Sequence, residues 1–480
     1  MHLELDGEGP KYLQLSRAIR SAVQEGRIAS GARLPPTREL AQTLGLARNT
    51  VRGAYEHLGS TGFLHGRVGA GSFVHAAGSR PTAGTPSPAA PAVVDAPSAF
   101  ARRVRQLAPQ FTAWRNQRGV RYNLQYGEPY TDALLPDQWR NELARAALYT
   151  DLGYPPTPGL PALREAVCEH LRSRRAVPAT PDDILIVSGT QQALSLAARV
   201  LLDEGDTAVI EEPGYFSGRH ALLAHGVNLV GVPVDRSGLV TDALPARRPG
   251  MIFVTPAHQF PLGVTMSQRR RLELLRYATR HSTWIVEDDY DAEIRYDGRQ
   301  VPALCALDKL RRVIFVGSFS KVLAPSLRLA YLVVPPALRE DFLHAKRLCD
   351  MGCPAIEQAA LAHFMTSGAF ERHLRRVVRS LHARRDALFD GLQQHAGHAI
   401  ELGESRAGMH VVGWLKGVAA ARPEALVARA SALGLGLHPL APHYFDKPPK
   451  TPGLLLGFAA LSPGEIEVAA RLLGRAVETL

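Results

Sequence analysis

The sequence predicts a multidomain chain: a small, mainly helical head and a much larger α/β body. Three observations predict it. The 480 residues exceed one ordinary domain. A proline- and alanine-rich stretch at 77–100 separates residues 1–76 from residues 101–480. Beyond Tyr122, apolar strands alternate with helical stretches, the pattern of a largely parallel sheet. A composition 46% hydrophobic and 21% charged is globular and soluble, and no apolar run approaches the length that spans a bilayer. The start of the chain lacks a basic region followed by an apolar core, so no signal peptide is expected. The four cysteines Cys168, Cys305, Cys349 and Cys353 in so long a chain argue for a reducing, cytoplasmic compartment, with Cys349 and Cys353 expected as buried thiols. Cys349 and Cys353 lack a histidine pattern, so no metal is expected. The net charge of +11 suits a nucleic-acid partner.

In the head, Leu15, Ile19 and Val23 recur at helical spacing up to Gly26. A second helix is expected from a Thr37 cap to Gly45. A third carries Val51, Tyr55 and Leu58 as its apolar stripe. Phe63–Val74, with three glycines and Gly62 just before it, reads as a two-stranded wing. Helix, helix, short turn, helix and hairpin make a winged helix-turn-helix. Its third helix would enter the major groove of double-stranded DNA, with Arg48, Asn49, Thr50 and Arg52 nearest bases and phosphates. Residues 1–78 hold nine Lys/Arg against six Asp/Glu, so the arginines must gather on one face.

The 77–100 stretch reads as a flexible tether. Residues 101–121 carry six arginines and no acid, a solvated basic face or a second DNA contact. In the body, a large domain is expected over about 122–335 and a small C-terminal subdomain over about 336–480. Ile184–Val187 leads into Ser188-Gly189-Thr190 and a helix, whose first amides near Gly189, Thr190 and Gln191 suit a phosphate. Tyr215 follows a strand, as a ring stacker or a core tyrosine. His258 or Gln259 stands on another strand-end loop, within reach of a ligand oxygen.

Trp284–Asp291 is a short strand ending in acids. In an extended chain Asp288 and Tyr290 point the same way, and Asp289 and Asp291 face elsewhere. The apolar runs Val313–Val316 and Leu329–Val334 frame Lys321. A lysine desolvated there loses pKa and becomes a nucleophile able to form a Schiff base. Ser318, Ser320 and Arg328 supply donors for a phosphate. An amine for an aldehyde beside donors for a phosphate describes a site for pyridoxal 5'-phosphate. Asp288 would hold the pyridine nitrogen and Tyr290 the ring oxygen. The helix at 369–388 carries Arg372, Arg375, Arg376, Arg379, Arg384 and Arg385, a solvated face or a DNA-facing one.

The stretches LPPTRELAQTLGLARNTVRGAYEHLGSTGFL and GRVGAGSFV resemble the GntR family's DNA-binding domain. The resemblance implies Arg38, Arg48, Thr50, Arg52 and the wing around Gly69 as DNA contacts. Pro36 departs from it, standing where a serine often caps the second helix. SGTQQAL, EEPGY, PAHQFPLG, EDDYD and GSFSKVLAPSLRLAYLV, in that order, resemble fold-type I pyridoxal phosphate enzymes of the class I/II aminotransferase group. The whole chain is similar to MocR-type regulators, including those of pyridoxine biosynthesis. This implies Lys321 as the Schiff-base lysine, Asp288 and Tyr290 on the ring, Tyr215 stacked on it, and Thr190, Gln191, Ser318 and Arg328 on the phosphate. Two positions depart from working aminotransferases: Phe260 replaces an asparagine, and Leu455 replaces the arginine that clamps a substrate carboxylate. The expectation is a homodimeric regulator of vitamin B6 or amino-acid metabolism, with the cofactor, or an amino acid held beside it, as effector. The rival is an active aminotransferase with a vestigial head.

Overall fold

The computed structural model describes residues 3–67, 71–75, 97–113, 119–129, 137–151, 153–298, 301–446 and 449–480. It divides into two units, residues 1–96 and 97–480. Gly69, at the expected wing tip, and residues 77–96 of the expected tether lie outside the described residues.

In the first unit, helix Lys11–Gln24 buries Leu15, Ala18 and Ile19 against helix Arg48–Ser60, which turns in Val51, Ala54, Tyr55 and Leu58. The 3.6-residue period of these positions is what selects helix here. The Tyr55 hydroxyl donates to the Pro35 carbonyl at 2.9 Å, so its burial leaves no polar atom stranded. Helix Thr37–Leu44 stops at Gly45, whose φ of 62° is the left-handed stop that glycine adopts without strain. Its cap differs from expectation. Pro36 takes the cap position without a side-chain bond, and Thr37 lies inside the first turn. Leu64–Arg67 and Gly71–Val74 pair antiparallel, and Leu34 N–H donates to the Ser72 carbonyl as a third edge.

The second unit is built on an eight-stranded sheet. From edge to edge it runs Ile184–Val187, Ala330–Val333, Val313–Ser318, Trp284–Asp289, Met251–Val254, Thr207–Glu212, Asn228–Asp235 and Gly238–Leu239. Neighbours from Val313–Ser318 to Asn228–Asp235 pair in parallel. Ala330–Val333 is antiparallel to both its neighbours. The edge strand Ile184–Val187 and the inner strands Met251–Val254, Ala330–Val333 and Val313–Val316 are buried on both faces, which explains their unbroken apolar runs. Burying each Val, Ile or Leu is worth roughly 1.5–3 kcal/mol, enough to hold polar residues at the strand ends.

A four-stranded antiparallel sheet near the C-terminus packs with the long helix Ala369–Ala396 and helix Pro463–Glu478. Tyr122–Asn123, expected to open the large domain, pairs instead with Leu435–Gly436, and Gly457 N–H donates to the Leu124 carbonyl. The segment that follows therefore crosses from the small sheet to the large one. Residues 97–100 also depart from the tether expectation, because helix Ala99–Ala113 begins there. Arg103 on that helix pairs with Glu204 at 2.7 Å. Arg115 and Arg118 lie outside the described residues. Of the pair expected as buried thiols, Cys353 is buried and Cys349 is exposed.

Candidate functional site

The carboxyl ends of the parallel strands open onto one cavity of about 220 Å³. This edge is where parallel α/β sheets place ligands, because the loops there are free to diverge. Each strand delivers its residues through its own loop.

The pairing of Trp284–Asp289 with Val313–Ser318 sets Asp288 opposite Val316. Strand alternation sends Asp289 to the other face, where its carboxylate accepts from Arg175 Nε at 2.7 Å. Asp288 is only 4% exposed, and its Oδ1 has no hydrogen-bond partner. Burial pushes its carboxyl well above the usual range, Asp289 and Asp291 push the same way, and Lys321 opposes them. Lys321 lines the same cavity, half-buried, and its Nζ donates to the Gly127 carbonyl. Burial pulls its amine down, against Asp291, Glu128 and Asp288. Such an amine is more nucleophilic at neutral pH than a solvated lysine.

At the other end of the cavity stand Thr190, Gln191, Ser318, Ser320 and Arg328. Gly189 caps the helix Thr190–Leu201 at φ 124°. A Cβ there would come within 2.7 Å of Arg328 Nη2, so only glycine lets the guanidinium lie against the helix start. Arg328 itself holds φ 51°, a left-handed strain of about 1–2 kcal/mol for such a residue. The helix N-terminus and the guanidinium together make an anion site.

Tyr290 lines the cavity, and its hydroxyl lies 2.9 Å from His258 Nδ1. That nitrogen is 3.0 Å from both Asp291 oxygens. A carboxylate can only accept, so Nδ1 carries its proton toward Asp291; burial pushes the Tyr290 hydroxyl well above its usual range, and its hydrogen bond to Asp291 pushes the same way. Two expectations change. Asp291 does not face away, because the strand ends at Asp289 and alternation ends with it. Neither His258 nor Gln259 lines the cavity: His258 stands behind Tyr290, and Gln259 donates to the Pro213 and Phe260 carbonyls.

The remaining wall is aromatic. Phe260 lies 5.8 Å from Tyr215, 5.9 Å from Tyr126 and 5.1 Å from His443, ring centre to ring centre. Tyr215 both lines the cavity and packs on the core. Leu455, fully buried, sits behind them with Val412 and Leu440. Burial pulls His410 and His443 down to about 3, so both are neutral near pH 7. Tyr126, Gly127, Asp291 and His410 line the cavity without a local sequence signal. In the head, Arg38, Arg48, Asn49 and Arg52 are exposed and Thr50 is half-buried on the opening turns of the second and third helices.

Comparison with known proteins fits both units. Residues 121–433 match the family "Aminotransferase class I and II", and residues 11–74 match "Bacterial regulatory proteins, gntR family". The probable rhizopine catabolism regulatory protein MocR of Rhizobium meliloti is 38% identical over 467 residues, 96% of this chain and 92% of that protein. The pyridoxine biosynthesis transcriptional regulator PdxR of Corynebacterium glutamicum is 30% identical over 93% of this chain and 91% of its own. Among solved structures, the α-aminoadipate aminotransferase LysN of Thermus thermophilus, complexed with N-(5'-phosphopyridoxyl)-L-leucine, is 28% identical with a TM-score of 0.68, covering 78% of this chain and 94% of that one.

Beneath the cavity floor, Glu211 accepts from Thr255 Oγ1 at 2.6 Å and from Gln259, while burial pushes its carboxyl up to about 7. An unfolded glutamate titrates near about 4. Stability should therefore be full below about pH 4 and fall as pH rises toward 7, by roughly 3 kcal/mol for this group. Glu211→Gln should remove that fall, so the variant gains on the wild type between pH 4.5 and 7.5 in urea unfolding. An equal difference at both pH values would mean that Glu211 is ionised in the folded protein.

Proposed function

The chain belongs to the class I and II aminotransferase family, joined behind a gntR-family head as in MocR-type regulators, and from that premise we propose that it is a transcription regulator holding pyridoxal 5'-phosphate on Lys321. The observation that carries this reading is the meeting of Lys321, Asp288 and the Gly189–Arg328 anion site in one cavity. The residues fit the cofactor: an amine lowered by burial, a buried carboxyl with an unpartnered oxygen, and donors grouped at the far end. Bound there, the cofactor supplies an aldehyde and a pyridine ring that draws electrons.

Lys321 is the covalent anchor. Asp288 shares its proton with the pyridine nitrogen. Tyr290 would turn its hydroxyl from Asp291 to the ring oxygen, with His258 holding the phenol in place. Tyr215 packs on the ring. Thr190, Gln191, Ser318, Ser320 and Arg328 take the phosphate, as does the amide end at Gly189. The head binds a double-stranded DNA operator through Arg38, Arg48, Asn49, Thr50, Arg52 and the wing at Gly69. The protein acts in the cytoplasm, where its operator is.

The wall opposite Lys321 favours regulation over turnover. An α-carboxylate needs a cation, and Phe260, Leu455 and the neutral His410 and His443 supply none. The cofactor on Lys321 therefore acts as the effector or holds it, and the target genes belong to vitamin B6 or amino-acid metabolism. Turnover of amino and keto acids at aminotransferase rates would reverse this reading in favour of an enzyme with a vestigial head.

The regulator works as a homodimer. Leu148, Tyr149, Tyr154 and Leu348 are 77–91% exposed. A Cβ on Gly352 would lie 3.2 Å from Pro155, so the segments bearing Tyr154 and Leu348 run side by side. An apolar patch of this kind marks an interface, here with a second copy.

Three outcomes are expected. Borohydride reduction should fix the cofactor to the Lys321 peptide, and Lys321→Ala should abolish that labelling; label on another lysine would reassign the anchor. Arg48→Ala and Arg52→Ala should each weaken operator binding by roughly 1–3 kcal/mol with the cofactor's visible absorbance unchanged; unaltered affinity in both would remove the third helix from the interface. Leu348→Asp should sediment as a monomer, and a dimer of wild-type stability would move the interface elsewhere.

A further inference from the structure

The long helix Ala369–Ala396 holds more arginines than its packing uses. Arg384 is 2% exposed and donates to the Leu461 carbonyl at 2.8 Å; Arg385 donates to the Ser405 carbonyl. These two are structural. Arg372, Arg375, Arg376 and Arg379 differ. All four are exposed and line a separate groove of about 620 Å³. Among the described residues, none of the four pairs with a carboxylate.

Arg174, Arg175 and Arg295 enter the same groove from other elements. Their charges are already matched, by Glu371, Asp289 and Asp297 respectively. Glu293, the carboxylate on the groove wall, is 2.7 Å from His170. Burial opposes protonation of His170, but Glu293 and Glu371 hold it charged up to about 9. The acids are therefore consumed by partners behind the wall. Four uncompensated guanidiniums remain, and like charges packed this closely repel one another unless an anion joins them.

We propose that this groove is a second DNA contact, which grips the phosphodiester backbone without reading sequence. It rests on the DNA-binding reading given above. The four arginines span about 10 Å of helix rise, over which one DNA strand carries about three phosphates. The guanidiniums are spread along two turns of the helix, matched to a repeating polyanion rather than one phosphate group. Guanidinium forks suit such oxygens.

The test uses the full-length protein with cofactor bound. The variant is Arg372→Gln/Arg375→Gln/Arg376→Gln/Arg379→Gln. Should it fail to hold the cofactor, the double variant Arg375→Gln/Arg379→Gln replaces it. Affinity is measured by fluorescence anisotropy over a salt series, on the operator with long flanks and on an unrelated duplex. The variant should lose about tenfold or more on both duplexes, with a slope of log affinity against log salt shallower by about 2–4. An unchanged slope in the folded variant overturns the inference. So does a loss explained by a changed oligomeric state in sedimentation, which would make the groove a contact between copies. Protection of the wild type against melting by micromolar inorganic pyrophosphate, with DNA affinity unaltered in the variant, would assign the groove to a small polyanion instead. A wild type that binds no DNA defeats the regulator reading; one that binds with the variant's slope defeats only this inference.

Discussion

The body depends on the desolvation of two opposite charges at one strand edge. Asp288 and Lys321 are each unfavourable in their ionised forms there, and each is the other's relief: burial pushes the carboxyl up and the amine down, while their mutual attraction opposes both shifts. A buried polar pair of this kind is expensive for folding and is held only where the surroundings are strongly apolar and rigid. The sheet provides that rigidity. Ile184–Val187, Met251–Val254 and Val313–Val316 are buried along their length, so the strand ends cannot shift to re-solvate the pair. Strain is concentrated beside the pair, at Arg328 with its left-handed backbone and at Gly189 with no room for a side chain.

The parts of this site that depend on one strand were legible in the sequence. Asp288 and Asp289 split to opposite faces because period two is a local rule, and Lys321, Ser318 and Arg328 share one turn. The third head helix was legible for the same reason, since Val51, Tyr55 and Leu58 satisfy a helical period. What was hidden is tertiary. Asp291 was assigned to the wrong face because the end of the strand at Asp289 is set by the loop beyond it. His258 was placed at the ligand, but it stands one layer back, where its Nδ1 meets Asp291. Gly127 and His410 come to the cavity from the crossing segment and from the small sheet, nearly 300 residues apart in sequence. Thr37 shows the limit of local signals too. A capping residue type stood in place, yet Pro36 took the cap with no side-chain bond.

Arginine has three distinct fates in this body, and the surroundings decide among them. Arg175 is buried and charge-matched by Asp289; Arg384 is buried and bonded to a carbonyl; Arg372 and its neighbours are exposed and unmatched. A count of arginines along the helix could not separate these, because the difference lies in what packs across from each turn. The 3.6-residue period puts Arg372, Arg375, Arg376 and Arg379 on one side of the helix, while the burial of Arg384 follows from its meeting Leu461.

The apolar wall is the last step from structure to function. Leu455 lies in the small sheet, in register with Val412 and His438, and is fully buried. It is therefore core of the small subdomain, one layer behind the rings that line the cavity. Phe260 bridges the two, touching Tyr126, Tyr215 and His443. A cation introduced at Leu455 would have to be desolvated against these rings, a cost of several kcal/mol without a partner. A single substitution would not easily turn this wall into a carboxylate clamp. Phe260 lines the cavity and packs with Val412, Leu440 and Leu455, so one ring belongs both to the cavity wall and to the core of the small subdomain.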